Sequence, residues 1–306
     1  MNGLKLVSYH GANGVRTGII IDEFVVDVAE ITGKSSHTDT IRLIEEWDQV
    51  EELLQTAASR QDRRPGIRLA SVELLAPVPL PGAIYCAGAN YSDHIAEMRG
   101  GSARTAVSDL RAAAQKPWHF VKSSHAVVGP ETAVPLPAGA QRVDWEAELA
   151  VVIGRKTKNV AAEDALGAVW GYTIANDLSA RDLSRRKSLP DASPFYFDWM
   201  GHKSFDGSCP LGPWIVSARA IPDPNRLGIR LTINDVEMQN SNTGLMIFTV
   251  AEQIAHLSRN LTLWPGDIIL TGTPSGVGAG RNVFLKSADR ITISIEDIGQ
   301  LHHSIA

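Results

Sequence analysis

The segment VDWEAELAVVIG, residues 143–154, most constrains what this chain can fold into. Its apolar run LAVVI, closed by a glycine, is typical of a buried strand. Three acids, Asp144, Glu146 and Glu148, occupy alternate positions at the start of that run. Side chains two apart share one face of a strand, with about 6–7 Å between neighbours. The pattern therefore predicts three carboxylates on one face of a strand over 144–153.

Two interpretations of these acids are open. Antiparallel strands often carry polar residues on a solvated face, and then Trp145, Ala147 and Leu149 would fill the buried one. Alternatively, two of the carboxylates bind a hard divalent cation, which takes oxygen ligands. Asp177, directly after the apolar strand VWGYTIAN, is a candidate for a further ligand, although the local sequence favours a helix N-cap there.

Composition excludes several classes of protein. The chain has 306 residues, of which 44% are hydrophobic, enough for a sizeable core in one or two domains. The net charge of −5 and the absence of a basic run argue against nucleic acid binding. Cys86 and Cys209 belong to no CxxC motif, which indicates reduced thiols. No signal peptide or membrane span is evident, so we expect a cytoplasmic protein with no membrane partner.

The chain divides near three closely spaced prolines within 77–81, which break regular structure. Before them, residues 4–28 contain three short β-rich runs, and residues 40–59 have the apolar spacing of one amphipathic helix. We therefore predict a small N-terminal β-rich domain over 1–77 and a larger domain over 78–306.

The larger domain is predicted to be rich in strands. Strands are expected at 83–87, 118–122, 144–153, 169–176, 213–217, 229–234, 267–271 and 291–296. Helices are expected at 91–98, 161–166 and 249–259. Because few strands alternate with long helices, a doubly wound parallel sheet fits poorly, and the α+β class fits better.

Five motifs then occur in a fixed order: AGANYSDHIAEM, DWEAELAVVIG, GYTIANDLSARD, GHKSFDGSCPLGPWIV and PGDIILTGTPSGVG. Together they resemble the fumarylacetoacetate hydrolase family over about residues 80–300. The chain is similar to bacterial two-domain members such as acylpyruvases and 2-hydroxyhepta-2,4-diene-1,7-dioate isomerases. The resemblance implies a mixed β-sandwich or β-roll core, and it also implies a homodimer.

The resemblance also favours the metal interpretation of the acids. In the family, the Glu-x-Glu of the DWEAELAVVIG motif and the Asp that follows the apolar strand of the GYTIANDLSARD motif bind one divalent cation. This cation is usually Mg²⁺ or Mn²⁺, with Ca²⁺ possible in vitro. The matching residues are Glu146, Glu148 and Asp177. Asp144 matches no ligand of the family, so we expect it either to contact the ligand residues without binding the metal or to be solvated.

Three further residues are implied to be catalytic. His94 and Glu97 are three apart, as neighbours on a helix face are, and an HxxE pair is most often a surface ion pair. The resemblance instead implies that this pair activates water as a general base. Lysine is usually solvated, but the family pattern implies that Lys203 lies near oxygens that become negative during the reaction.

Substrate contacts are implied for Tyr91, Arg181 and Thr273. Two of them have an alternative: Tyr91 fits the core equally well, and Arg181 could pair with Asp182 or Glu148. Thr273 belongs to the glycine-rich LTGTPSGVGAG, which lacks the GK[ST] ending of a nucleotide loop. The resemblance implies that Thr273 lines the substrate pocket.

The implied substrate is a small anionic 2,4-diketo acid of the acylpyruvate or fumarylpyruvate type. A metal-dependent hydrolase would cleave its C–C bond through a pyruvate enolate on the metal. An isomerase of a dienoic hydroxy acid or an oxaloacetate decarboxylase is the alternative on the same site, and a non-catalytic metal-binding relative is the second.

Two departures from the family pattern concern substrate choice. Ser184 stands where related acylpyruvases often have glutamine. Residues 99–117 also form a longer connection than in many members, and we expect them to be a lid hinged at Gly100 and Gly101. A permanently ordered insertion or a subunit contact is the alternative.

Overall fold

The computed structural model describes residues 3–59, 66–100 and 106–306. Its strands are β1 Lys5–Gly11, β2 Gly14–Ile21, β3 Phe24–Asp27, β4 Ile67–Arg68, β5 Leu74–Leu75, β6 Ile84–Ala87, β7 His119–Lys122, β8 Val127–Val128, β9 Ala133–Val134, β10 Val143–Asp144, β11 Ala147–Ile153, β12 Val169–Asn176, β13 Ser179–Ala180, β14 Cys209–Ser217, β15 Gly228–Ile233, β16 Val236–Asn242, β17 Ile268–Leu270, β18 Arg290–Ile295 and β19 Gly299–Ile305. Its helices are α1 Val28–Thr32, α2 Thr40–Glu45, α3 Trp47–Ser59, α4 Ser92–Met98, α5 Val107–Ala114, α6 Trp199–Lys203, α7 Val250–Asn260 and α8 Gly278–Arg281. None of these described helices is long and apolar enough to cross a membrane.

A large mixed sheet runs through the molecule in the order β4-β3-β2-β1-β14-β12-β11-β17-β6-β7, with β5 beside β1 and β8 beside β14. A second sheet has the order β16-β15-β18-β19-β9, and β10 pairs with β13. This strand-rich α+β architecture confirms the predicted fold class. The N-terminal strands belong to the large sheet, because Lys5 and Leu6 of β1 pair with Val216 and Ile215 of β14. The boundary at residue 78 stays a prediction.

Strand β11 is buried along its whole length, which explains its uninterrupted apolar run. Leu149 and Val151 belong to the core that the second sheet shares, whereas Ala150 and Val152 belong to the core under the N-terminal helices. The strand lies between β12 and β17 in the sheet. Both faces of β11 are therefore covered, so the solvated face that spacing alone allowed does not exist.

The predicted strand over 144–153 is wrong at its start. Asp144 belongs to β10 and pairs with Ser179, and β11 begins only at Ala147. The break arises because the N–H of Glu146 donates to the side-chain oxygen of Asn176 at 2.9 Å and not to a strand partner's carbonyl. Asp144 consequently belongs to a different pair of strands from the acids that follow it.

Two predicted helices also need correction. The helix predicted over 40–59 is interrupted at Glu46, which lies between the last residue of α2 and the first residue of α3. The Glu46 carboxylate contacts Lys34 and His37. The helix expected at 161–166 is a short 3-10 turn over Ala165–Ala168.

The helix expected at 249–259 is confirmed as α7, and its start follows from local chemistry. The Thr249 hydroxyl accepts from the Glu252 N–H, and the Glu252 carboxylate accepts from the Thr249 N–H. This capping box satisfies two amides that otherwise lack partners. The helix expected at 91–98 is likewise confirmed as α4.

Part of the expected lid, including Gly101, lies outside the described residues. Within the described part, α5 supplies the short helix that the sequence indicated. Arg111 of α5 forms an ion pair with Glu252, and its guanidinium lies 5.2 Å from the ring centroid of Phe248. These contacts dock α5 on the start of α7. Closure over a substrate stays a prediction.

Candidate metal centre

Three buried carboxylates converge where β11 begins and β12 ends. Ala147 of β11 pairs with Asn176 of β12, so the residues flanking this pair are neighbours. One oxygen each from Glu146, Glu148 and Asp177 lie within 4.8 Å of one another. The structure thus brings together the three residues that the sequence predicted as metal ligands.

Cationic side chains surround two of these three carboxylates. The ammonium of Lys203 lies 2.9 Å from Glu146 Oε2 and 2.6 Å from Asp177 Oδ2. Lys122, which is fully buried, places its Nζ 2.8 Å from the other oxygen of Asp177. Arg181 donates from Nη2 to Glu146 Oε1 at 2.5 Å. Burial opposes ionisation of Glu146, but Lys203 and Arg181 nevertheless hold its pKa below the usual range of a glutamate.

Glu148 has a different environment. Its carboxylate accepts a 2.6 Å hydrogen bond from the Gly272 N–H, and no ion pair to it is present in the described chain. Burial raises the pKa of Glu148 well above its usual value, and the charges of Asp177 and Glu146 add to that shift. A divalent cation at the three carboxylates would supply the missing positive charge, and carboxylate oxygens are the ligands that Mg²⁺ and Mn²⁺ prefer. The residues present therefore fit such a cation.

The loop that supplies the Gly272 N–H requires glycine at that position. Gly272 has a φ of +95°, which side chains disfavour, and an added Cβ would lie 2.9 Å from Cβ of Asn90. The backbone of this TGTP loop therefore approaches β11 closely, and its N–H reaches the Glu148 carboxylate.

Arg181 pairs with neither of the partners that the sequence suggested. Its Nε donates to Asp144 Oδ2 at 2.9 Å, and its Nη2 donates to Glu146. Asp144 is fully buried and also accepts from the N–H groups of Gly278 and Ala279, at 2.6 and 3.0 Å. The expectation that Asp144 could be solvated is wrong. It anchors Arg181 beside a candidate metal ligand.

The His94 and Glu97 side chains lie together on α4. His94 Nδ1 is 3.7 Å from Glu97 Oε2, which is an ion-pair distance and longer than a hydrogen bond. The Gly276 N–H donates to both Glu97 oxygens, at 3.1 and 3.0 Å. Burial works against ionisation, but the contacts with His94 and Gly276 hold the pKa of Glu97 below its usual range. An ionised Glu97 can orient His94, and such contacts often tighten when substrate binds.

Thr273 and Tyr91, the other two predicted substrate contacts, are both buried. The Thr273 hydroxyl donates to the Ala147 carbonyl at 2.9 Å and accepts from Gln239 at 2.9 Å, so it is already engaged. Tyr91 is fully buried, and its hydroxyl has no hydrogen-bond partner among the described residues, so a substrate contact by Tyr91 stays a prediction. Burial raises the pKa of Tyr91 well above its usual value, and the charge of nearby Glu148 adds to this effect.

Three supporting residues were missed from the sequence. Lys122 ends a short strand, and a lysine there gives no sign that it is buried. Asn176 bridges the Glu146 N–H and Nε2 of His303, and its position beside Asp177 was the available signal. Gln239 accepts from the Ala147 N–H and donates to the TGTP loop, a long-range role that no local pattern shows.

Comparison with known proteins finds a matching family and similar structures. A family model described as fumarylacetoacetate (FAA) hydrolase C-terminal matches residues 83–306. The chain is 41% identical over 267 residues to the mitochondrial oxaloacetate tautomerase fahd2 of Xenopus laevis, which covers 86% of this chain and 78% of that protein.

Two solved structures are similar along nearly the whole chain. Maleylpyruvate hydrolase from Sphingobium sp. SYK-6, in complex with manganese (II) ion and pyruvate, has 31% identity and a TM-score of 0.76, covering 99% of this chain and 98% of that one. A probable 2-hydroxyhepta-2,4-diene-1,7-dioate isomerase from Mycobacterium abscessus has 28% identity and a TM-score of 0.78, with the same coverage. The chain therefore belongs to the fumarylacetoacetate hydrolase family.

Proposed function

We propose that this protein binds Mg²⁺ or Mn²⁺ through Glu146, Glu148 and Asp177 and hydrolyses a C–C bond in a small 2,4-diketo acid of the acylpyruvate type. The observation that carries the proposal is the environment of Glu148. It is a buried carboxylate beside two others, and its described neighbours offer it no cationic partner. A family relative with manganese and pyruvate bound supports both the metal and the substrate class.

A bound divalent cation would act as Lewis acid and template for the keto acid. His94 would take a proton from water, and the resulting hydroxide would attack the C4 carbonyl. Glu97 would hold the imidazole in the orientation and tautomer that this requires. The C3–C4 bond then breaks and C4 becomes the carboxyl carbon of the released acid. The electron pair of that bond forms the C2–C3 double bond of the pyruvate enolate, and the proton taken up by His94 would return to C3 to complete pyruvate. Lys203, between two carboxylates, would place positive charge near the developing oxyanion.

The second candidate is tautomerisation of oxaloacetate, favoured by the 41% identity to a protein with that name. Here His94 would move a proton between C3 and the C2 oxygen, and no water would attack. An isomerase or a decarboxylase would use the same ligands, as the similarity to a probable isomerase suggests. A non-catalytic metal-binding protein is the remaining alternative.

One substrate panel separates these candidates. Acetylpyruvate hydrolysis and oxaloacetate enol–keto exchange are followed by absorbance, with Mg²⁺, with Mn²⁺ and after EDTA treatment. We expect metal-dependent release of pyruvate from acetylpyruvate. Acceleration of enol–keto exchange alone would favour the tautomerase, and metal binding without either turnover would favour the non-catalytic alternative. Full turnover after EDTA would contradict the metal proposal.

Two further properties are proposed, the first from the family resemblance and the second from the reduced state expected of Cys86 and Cys209. A homodimer is expected, and light scattering on the purified protein would show twice the chain mass of 33.0 kDa. A cytoplasmic location is also proposed, and fractionation of the source cells tests it.

A further inference from the structure

Exposed hydrophobic side chains gather on one part of the surface. Fourteen large hydrophobic side chains are exposed in the described chain, and six of them come from two short segments, one around β7 and one at and before the start of α6. These six are between 38% and 67% exposed. Isolated apolar residues on a surface are normal, but a contiguous group marks a site of interaction. We refer to this group as the aromatic patch, and its members are Trp118, Val121, Phe195, Phe197, Trp199 and Met200.

Ring contacts make the patch continuous across the two segments. The ring centroids of Trp118 and Trp199 are 5.4 Å apart, and those of Phe197 and Trp199 are 4.5 Å apart. The partly buried Phe120 stacks on Trp199 from below, at 5.0 Å and with 21° between the ring planes. The other members of the patch lie within three positions of these residues in the sequence. The exposed side chains therefore form one surface.

The patch adjoins an open edge of the large sheet. Strand β7 is the last in the order of that sheet, and it pairs with β6 on one side and with no described strand on the other. Natural proteins often place charged side chains, lysine above all, on such an edge to prevent association. Lys122 of β7 gives no such protection, because it is fully buried against Asp177. The exposed residue of this strand is the apolar Val121.

The size of the patch fits the interface of a protein dimer. An aromatic side chain has about 150–250 Å² of surface, so six large side chains exposed to this extent offer roughly 600 Å² in total. A stable interface covers about 800 Å² on each partner, of which roughly 60% is apolar. The patch therefore supplies the apolar area that one side of such an interface needs.

The charges beside the patch favour a second copy of this chain as the partner. Asp198 is the one charged residue between Phe195 and Met200. Its carboxylate lies 3.3 Å from Nη2 of Arg186 and accepts from the Gly201 N–H at 2.9 Å. A two-fold interface brings the same surface of both copies together, so an unmatched charge would meet its own like charge. Because Asp198 is matched within its own chain, this segment can face a copy of itself.

We propose that the aromatic patch is the contact surface of a symmetric homodimer, in which each copy covers the patch of the other. This inference rests on the homodimer given under the proposed function and adds where the two chains meet. None of the candidate metal ligands belongs to the patch. It nevertheless adjoins their surroundings, because the Lys203 ammonium lies 5.2 Å from the ring centroid of Phe120. The dimer contact thus packs against α6, the helix that carries Lys203.

Size-exclusion chromatography with light scattering tests this surface in the full chain. The parent should have twice the chain mass of 33.0 kDa. Phe195→Glu/Met200→Glu puts two carboxylates into the contact, and the dissociation constant of the dimer should rise at least about 100-fold, as when central contacts are lost. Val15→Glu/Val236→Glu is the matched control, because it adds the same charge at two exposed apolar residues outside the patch. The control should stay dimeric, and circular dichroism verifies the fold of both variants.

Each outcome has a definite meaning. A monomeric parent would overturn this inference together with the homodimer on which it rests. A dimeric parent whose association is unchanged in Phe195→Glu/Met200→Glu would overturn this inference alone, since the chains would then meet elsewhere. Equal loss of the dimer in the control would also contradict it, because added charge alone would explain the effect. The metal proposal is tested separately, by turnover with and without EDTA.

A milder substitution keeps the test decisive if the glutamate variant does not fold. Met200→Cys places one thiol in the patch, and the native Cys86 and Cys209 are fully buried, so they do not compete for a reagent. In the dimer this thiol should react with a maleimide at least about tenfold more slowly than the thiol of Val236→Cys, because the centre of an interface excludes solvent. Met200 and Val236 are similarly exposed in the single chain. Equal rates in a protein of dimer mass would overturn the proposal.

Discussion

The backbone N–H of Gly272 donates a 2.6 Å hydrogen bond to the carboxylate of Glu148. This donor is neutral, so it orients the carboxylate without matching its charge. The neighbouring acids Glu146 and Asp177 do have cationic partners, in Lys203, Lys122 and Arg181. Glu148 is therefore the candidate ligand whose ionisation depends most on a bound cation, and that residue gives the sharpest test of metal binding.

Glu148→Gln should abolish metal-dependent turnover and leave the fold intact. The glutamine keeps an oxygen for the Gly272 N–H but removes the charge that a cation would match. Calorimetry with Mn²⁺ should show affinity reduced by more than the roughly 10–100-fold that is typical of changes around metal ligands. Glu73→Gln, at a solvent-exposed glutamate, is the control and should bind Mn²⁺ as the parent does. Parental Mn²⁺ affinity in Glu148→Gln would exclude Glu148 as a ligand.

Glu148 should also make the stability of the metal-free protein depend on pH. Its pKa is raised in the folded state, so the folded protein binds more protons than the unfolded chain between the two pKa values. The contribution of Glu148 to stability is fully present below the ordinary glutamate pKa of about 4.3, and it is lost as pH rises through the raised pKa of the folded state. The free energy of unfolding of Glu148→Gln, minus that of the parent, should therefore grow with rising pH.

This difference is measured by urea denaturation at a series of pH values after EDTA treatment. Comparing the variant with the parent cancels the titrating groups that lie away from Glu148. Saturating Mn²⁺ should stabilise the parent and not the variant, because a ligand that binds only the folded state raises its stability. A pH-independent difference would mean that Glu148 has an ordinary pKa in the folded protein.

His94→Ala should reduce hydrolysis of acetylpyruvate by about 10²–10⁴-fold, the usual contribution of a general base. Oxaloacetate decarboxylation should fall far less, because that reaction needs no activated water. Glu97→Gln should give a smaller loss in hydrolysis, since it leaves the imidazole in place but removes its ionised partner. Equal losses in both reactions for His94→Ala would assign His94 to substrate placement.

Much of the fold could be predicted from local patterns. The apolar run of β11, the strand β12 and the capped helix α7 each have a signal within their own residues. The break before β11 could not be predicted, because its cause is a contact between the Glu146 N–H and Asn176, thirty positions away. The end of α2 at Glu46 could not be predicted either, because the helical spacing of apolar residues continues past this position.

The candidate ligands could be named from the sequence, but their partners could not. Two-residue spacing and motif order indicate Glu146 and Glu148. The ion pair of Arg181 with Asp144 depends on how β10 and β13 align, which no single segment encodes. Lys122 was missed because burial of a lysine follows from tertiary packing around Asp177.

Lys122→Met should strongly destabilise the protein. Lys122 is fully buried, its ammonium lies 2.8 Å from Asp177, and it also donates to the carbonyls of Ser208 and Leu178, at 2.7 and 3.2 Å. Methionine has a similar length but leaves a buried carboxylate with one cation fewer and two carbonyls without this donor. Breaking a buried pair in this way typically costs about 3–5 kcal/mol of unfolding free energy.

Urea denaturation of metal-free Lys122→Met measures this loss, with the exposed Lys286→Met as the matched control. The control should lie within about 0.5 kcal/mol of the parent, as surface substitutions usually do. Mn²⁺ should recover part of the loss in Lys122→Met, because a cation at the three carboxylates would again match the charge of Asp177. An unfolding free energy equal to that of the parent would show that Lys122 is dispensable, and that Lys203 alone suffices to match Asp177.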